Sequence, residues 1–159
     1  METYRLILAS SSPRRRELIQ MLGLPVHIMA SDADESIPAE LPPDETVQLL
    51  AKRKAAHVLE QVRSQGLNGI IVGADTIVVL QGRMLGKPGS EEEAKAMLRA
   101  LQGNKHEVHT GIACLDADSG KLKAASRKTT VWMKPLTEQQ ISAYVASGEP
   151  MDKAGAYGI

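Results

Sequence analysis

Apolar positions along this chain fall into short runs and helical stripes that alternate. Residues 6–9 (Leu6, Ile7, Leu8, Ala9) form an apolar run that reads as a buried strand, and Ser10-Ser11-Ser12-Pro13 then turns the chain into a helix. Ser12 suits the N-cap, and Pro13 suits the first helical position, where its missing N–H costs nothing. Leu18, Ile19 and Leu22 recur at helical spacing, and the helix is expected to stop at Gly23, ahead of Pro25. Residues 26–30 alternate as a strand and lead into the acidic turn Ser31-Asp32-Ala33-Asp34-Glu35. Beyond the loop at Leu41-Pro42-Pro43, Val47, Leu50, Ala51, Ala55, Val58 and Leu59 trace one face of a long helix over residues 44–62. Lys54 interrupts that stripe.

Residues 69–80 carry apolar runs on both sides of the polar pair Asp75-Thr76, the pattern of a central strand buried on both faces. Gln81-Gly82-Arg83 turns the chain towards Gly86-Lys87-Pro88, where a glycine and a proline bracket one lysine. Ser90 and Glu93 have capping-box spacing and predict a helix to Leu101, closed by Gly103. Residues 108–115 and 124–133 read as strands joined by the turn Asp118-Ser119-Gly120. Thr137 and Gln140 repeat the capping-box spacing for a helix through Tyr144 and Val145 that ends at Gly148. Residues 147–159 are glycine-rich and charged and are expected to form a loop. With no internal repeat, linker or low-complexity segment, one α/β domain spanning residues 1–159 is the economical expectation.

Composition narrows the function. The chain balances 19 basic against 19 acidic residues, which gives no reason to expect general binding to DNA, RNA or an anionic membrane. Its single cysteine, Cys114, rules out an internal disulfide and suits a reducing cytoplasm; flanked by apolar residues, it reads as a packed thiol. No basic region precedes a long apolar stretch at the N-terminus, and no segment approaches membrane-spanning length.

Four charged features break local expectation: Arg14-Arg15-Arg16 in the first turn of a helix, Lys54 on an apolar helix face, Asp75 inside an apolar strand, and Lys87 between Gly86 and Pro88. Arginine at a helix N-terminus opposes the helix dipole, a conflict that makes sense if the cluster serves a polyanion. A carboxylate inside a buried strand is costly unless it is paired, hydrogen-bonded or bound to a metal. Cations gathered with a carboxylate suggest a phosphate ester or anhydride held with Mg²⁺, which takes one or two carboxylates and completes its shell with water and phosphate. Glu35, in the acidic turn, is the second carboxylate available. Each position has a plainer alternative: a solvated basic turn, a snorkelling Lys54, an Asp75 that caps a turn or pairs with a structural arginine, and surface roles for Glu35 and Lys87. His57, His106 and His109 lack zinc-ligand spacing, and neither a Gly-x-Ser-x-Gly elbow, a Walker loop nor a Gly-x-Gly-x-x-Gly fingerprint is present.

Taken together, Leu8-Ala9-Ser10-Ser11-Ser12-Pro13-Arg14-Arg15, Lys54-Ala55, Gly73-Ala74-Asp75-Thr76, Gly86-Lys87-Pro88, His109-Thr110-Gly111 and the block from Ser147 to Ile159 resemble the Maf family, nucleoside triphosphate pyrophosphatases first described as septum-formation inhibitors. The resemblance runs from end to end of the chain. It implies a mixed α/β fold with a bent central sheet flanked by helices and two lobes around a cleft, similar to inosine-triphosphate pyrophosphatases. It also implies cleavage between the α and β phosphates, with a divalent cation (Mg²⁺ or Mn²⁺) as cofactor, in the cytoplasm. The implied partner is the nucleoside triphosphate, with neither nucleic acid nor a membrane, and a homodimer is left open.

By the same resemblance, Asp75 is the general base and, with Glu35, a metal ligand. Ser10, Arg14 and Arg15 hold the triphosphate, and Lys54 and Lys87 contact phosphate. Gly-Ala-Asp-Thr and the Ser-Gly-Glu-Pro block resemble the branch that prefers dTTP and UTP, with modified pyrimidine triphosphates as further substrates. A sister branch acting on 7-methyl-GTP differs at the position of Thr76, so Arg14 and Thr76 are expected to help set base preference. The family continues past the position of Ile159 with a Gln-Gly pair, a strand and a helix, and this chain lacks that segment. Two rivals remain: a non-catalytic nucleotide-binding regulator of septum formation, and a purine-directed ITP/XTP pyrophosphatase.

Overall fold

The computed structural model describes residues 4–158. In chain order the elements are β1 (Leu6–Leu8), α1 (Pro13–Gln20), β2 (Val26–Ile28), α2 (Pro43–His57), α3 (Leu59–Ser64), β3 (Ile70–Leu80), β4 (Arg83–Leu85), α4 (Glu91–Leu101), β5 (Lys105–Asp116), β6 (Leu122–Trp132) and α5 (Glu138–Ala146). The strands form one mixed sheet of six in the order β2-β1-β3-β5-β6, with β4 paired to β3. β1 lies parallel to both β2 and β3, Leu6 facing Val26 on one side and Ile70 on the other, while β4 is antiparallel to β3. The expected α/β class is therefore what the chain forms. The chain divides into two compact units, Met1–Asp75 with Thr110–Arg127 and Thr76–His109 with Lys128–Ile159.

In the first unit the long helix packs on the sheet through the face that its periodicity predicts. Val47, Leu50, Ala51 and Ala55 of α2, with Val58 and Val62 beyond it, are buried. Fully burying each of the larger side chains contributes about 1.5–3 kcal/mol. The single expected helix is broken at Val58, so α2 stops at His57 and α3 restarts at Leu59. Two glycines let α2 press on the sheet. A Cβ on Gly73 would lie 2.1 Å from the Ala51 carbonyl oxygen, and one on Gly111 would lie 2.4 Å from that of Val47. No other residue fits such an approach.

α1 departs from expectation. It ends at Gln20, and of its apolar residues only Ile19 is buried, beside Leu8 and Val72. Leu18 and Leu22 stay exposed, because a two-turn helix presents a single contact to the strands, and the N–H groups of Met21, Leu22 and Gly23 bond three residues back to wind the chain off.

In the second unit, α4 and α5 pack through Ala94, Met97, Leu98, Ile141 and Val145. The capping box at Thr137 and Gln140 is complete. At α4 only half of the box forms: Ser90 Oγ accepts from the Glu93 N–H at 3.1 Å, while the Glu93 carboxylate takes the N–H of Gly89 at 2.8 Å. Residues 147–158 correct the expectation of a loop. Two short 3₁₀ turns, Glu149–Asp152 and Ala154–Ala156, bury Pro150, Lys153, Gly155 and Ala156. A Cβ on Gly155 would lie 2.7 Å from Val78, so that glycine serves packing. Among the described residues no helix is long and apolar enough to cross a membrane.

Candidate active site

β1 ends with both neighbours holding its last residues: the Ala9 N–H donates to the Val72 carbonyl and the Met29 N–H to that of Leu8, both at 2.9 Å. The chain leaves the sheet through buried Ser10, whose Oγ accepts from the Ser12 N–H at 3.1 Å. Ser12 caps α1 as predicted, its Oγ accepting from the Arg15 N–H at 3.4 Å. The serine-rich turn is thus fixed by its own hydroxyls, and it delivers Arg14 and Arg15 at a helix start with no acidic residue in its first turn. Burial pushes the Arg15 guanidinium below its ordinary value; Asp75 opposes that, Arg14 adds to it, and Glu35 opposes it again. Arg15 therefore lies within the electrostatic reach of both candidate carboxylates.

Those carboxylates meet at one ammonium. Lys54 Nζ donates to Asp75 Oδ1 at 2.7 Å and stands 3.3 Å from Glu35 Oε1. The side chains of Lys54 and Asp75 are only 13% and 12% exposed, whereas that of Glu35 is 62% exposed. Lys54 occupies the last turn of α2, where the helix dipole favours a cation. The close contacts at Gly73 and Ala51 bring this turn onto β3, since Gly73 precedes Asp75 by two residues and Ala51 precedes Lys54 by three. Pairing offsets part of the cost of burying each charge, and the plainer reading of Lys54 as a snorkelling side chain gives way to a built ion cluster.

Two carboxylates converge on one cation position, taken by the Lys54 ammonium, and such a pair is a donor set of the kind Mg²⁺ takes, with water and phosphate as its other ligands. Among the described residues no three of His, Cys, Asp and Glu group to hold a metal, so any cation there would rest on these two carboxylates alone. Cys114 is half-buried among apolar side chains, and burial raises its pKa, as expected of a packed thiol.

The family model described as Maf-like protein matches residues 5–159. The chain belongs to the Maf family. Two relatives are each named dTTP/UTP pyrophosphatase. The one from Pelotomaculum thermopropionicum is 52% identical over 154 residues, covering 97% of this chain and 78% of the relative. The one from a Geobacillus species is 50% identical over 155 residues, covering 98% and 80%. Among solved structures, a nucleoside-triphosphatase / dITP/XTP pyrophosphatase from Mycobacterium abscessus matches at 13% identity and TM-score 0.40 over 80% of this chain and 72% of that one, too loose a likeness to bear on fold or chemistry.

Of the site residues expected for this Maf chain, Ser10, Arg14, Arg15, Glu35, Lys54 and Asp75 belong to the first unit, and Thr76 and Lys87 to the second. Thr76 is half-buried on β3, and Lys87 is exposed ahead of buried Pro88. The Gly86 carbonyl accepts from the Gly155 N–H at 3.0 Å, which ties the Lys87 loop to the folded tail.

Three polar groups in the second unit have partners to which no feature of the sequence points. Lys153 is buried, its Nζ donating to the Glu149 carbonyl at 2.7 Å and to Asp152 Oδ1 at 3.0 Å. His106 is buried against the Tyr157 hydroxyl, and His109 bonds Glu107 at 3.0 Å. No spacing signal marks them. The lysine sits in a glycine-rich segment without periodicity, and the histidines fall at inward positions of a strand.

Proposed function

We propose that this chain hydrolyses nucleoside triphosphates, dTTP and UTP foremost, to a nucleoside monophosphate and pyrophosphate in the cytoplasm. Membership of the Maf family and the two relatives named dTTP/UTP pyrophosphatase, about half identical across nearly the whole chain, support the activity. One structural observation carries its chemistry: a buried carboxylate, an exposed carboxylate and a lysine ammonium meet at a single point in the unit that also bears the serine–arginine turn.

In this reading Ser10, Arg14 and Arg15 grip the triphosphate, the arginines matching phosphate oxygens with planar donor forks. Lys87 supplies a further cation for phosphate, and Thr76 with Arg14 helps choose the base. Asp75 takes the proton of the attacking water, a role that its burial in a rigid strand suits by fixing its direction. Lys54 holds Asp75 in place, and its flexible stem lets the ammonium pass to a phosphate oxygen when substrate arrives. Glu35 and Asp75 would hold a divalent cation, Mg²⁺ or Mn²⁺, which when bound polarises the phosphoryl group and neutralises charge on the departing pyrophosphate.

The test is a panel of nucleoside triphosphates, pyrimidine, purine and 7-methyl-GTP, with the products separated and metal added or chelated. Pyrophosphate and monophosphate from dTTP and UTP support the reading. Release of orthophosphate, preference for ITP or XTP, or tight binding without turnover would each contradict it.

A further inference from the structure

Arg53 immediately precedes Lys54 on α2, and its guanidinium reaches the acidic turn. Nη1 donates to the Ser36 carbonyl at 2.5 Å and to the Asp34 carbonyl at 3.4 Å. These two carbonyls stand on either side of Glu35. The turn also closes on itself: Asp34 accepts from the N–H and Oγ of Ser36 at 2.9 and 2.6 Å, and Ser31 Oγ accepts from the Ala33 N–H at 3.3 Å. The internal bonds give the turn its shape. Arg53 sets where that shape stands against the helix.

Glu35 needs such an anchor. It lies on irregular backbone, its side chain is 62% exposed, and its 3.3 Å ion pair with Lys54 is solvent-screened on the Glu35 side, so it holds the loop only weakly. A charge-assisted bond from a guanidinium to backbone carbonyls is stronger and more directional. Consecutive residues of α2 thus divide the task, Lys54 meeting the carboxylate and Arg53 the backbone on both sides of it. We propose that Arg53 is a positioning residue that sets the Glu35 carboxylate for triphosphate cleavage by gripping the carbonyls of Asp34 and Ser36. The proposal builds on the pyrophosphatase reading above and adds a residue that acts through Glu35.

The experiment compares Arg53→Met, which keeps most of the stem and removes the guanidinium, with Arg53→Lys, Glu35→Gln and the double variant Arg53→Met/Glu35→Gln. Two readouts are used: pyrophosphate release against Mg²⁺ concentration, and hydrogen exchange of the peptide spanning residues 31–37. The expected result for Arg53→Met is faster exchange in that peptide and a Mg²⁺ requirement raised about 10-fold, the usual scale for a group that orients a metal ligand. Arg53→Lys should recover part of both. In the Glu35→Gln background, Arg53→Met should change the rate no further. An unaltered Mg²⁺ requirement with unaltered exchange would overturn the proposal, and so would a loss of rate that persists in full without Glu35. Should the parent chain cleave no triphosphate, the pyrophosphatase reading fails, and exchange alone decides whether Arg53 anchors the turn.

Discussion

Among the described residues, one lysine in each unit has a largely covered side chain, Lys54 at 13% exposure and Lys153 at 9%, and their surroundings differ in kind. Lys54 meets carboxylates 19 and 21 positions away in sequence, brought to it by the packing of α2 on β3. Lys153 meets the carbonyl of Glu149 and the carboxylate of Asp152, both in its own turn. The local arrangement pins a 3₁₀ segment. The long-range arrangement holds Asp75 as a buried charge bonded to Lys54 at 2.7 Å, a costly device for stability alone. Burial of a cation therefore does not mark a site; the origin of its partners does.

The contrast extends to the glycines beneath each lysine, and here the largest effect on folding is expected. Gly73→Ala would drive a Cβ into the Ala51 carbonyl, backbone against backbone, costing about 3 kcal/mol and separating Lys54 from Asp75. Gly155→Ala meets the buried, β-branched side chain of Val78, which gives way less readily than a long side chain but more than backbone, and the φ of +69° at Gly155 adds strain. Denaturant unfolding of the two variants should rank Gly73→Ala as the more damaging, with pyrophosphate release falling in step. The reverse ranking would break the comparison.

Next in size is removal of the ammonium groups. Lys54→Met leaves Asp75 buried without its ammonium partner and should cost about 2 kcal/mol, most of it recovered when Asp75→Asn is added. Lys153→Met loses bonds to a carbonyl and to an exposed carboxylate and should cost about 1 kcal/mol. Unfolding midpoints of the three variants check this. No recovery in the double variant would mean that Lys54 and Asp75 are not coupled.

The smallest effect is one of pH. Burial lowers the pKa of His106, which lies beside the Tyr157 hydroxyl in the second unit. The unfolded chain binds the proton more readily than the folded one, so stability is full above the ordinary histidine value of about 6.5 and falls as pH drops from there towards the lowered folded pKa. Unfolding followed from pH 7.5 to 5 should show this loss, and His106→Gln should flatten it. An equal slope in the variant would place the loss elsewhere.

The sequence made the first unit legible further than the second. Lys54 and Asp75 stood out because each put a charge where periodicity demanded an apolar residue, and Ser12-Pro13 announced the cap of α1. Leu18 and Leu22 misled, since spacing tells which face of a helix is apolar and not whether anything covers it. The tail misled for the opposite reason: Gly155 and Ala156 have no periodicity to read, yet positive φ and close packing bury them. Arg53 was silent because a cation on a helix face gives no sign that it reaches a carbonyl 17 residues earlier.

All of this turns on whether the carboxylate on β3 performs the chemistry. Asp75→Asn keeps the shape of the side chain and its contact with Lys54 while removing the base. Pyrophosphate release from dTTP and UTP should fall by about 10³-fold, with the unfolding transition still cooperative and nucleotide still bound. Release at the parental rate would show that another group activates the water.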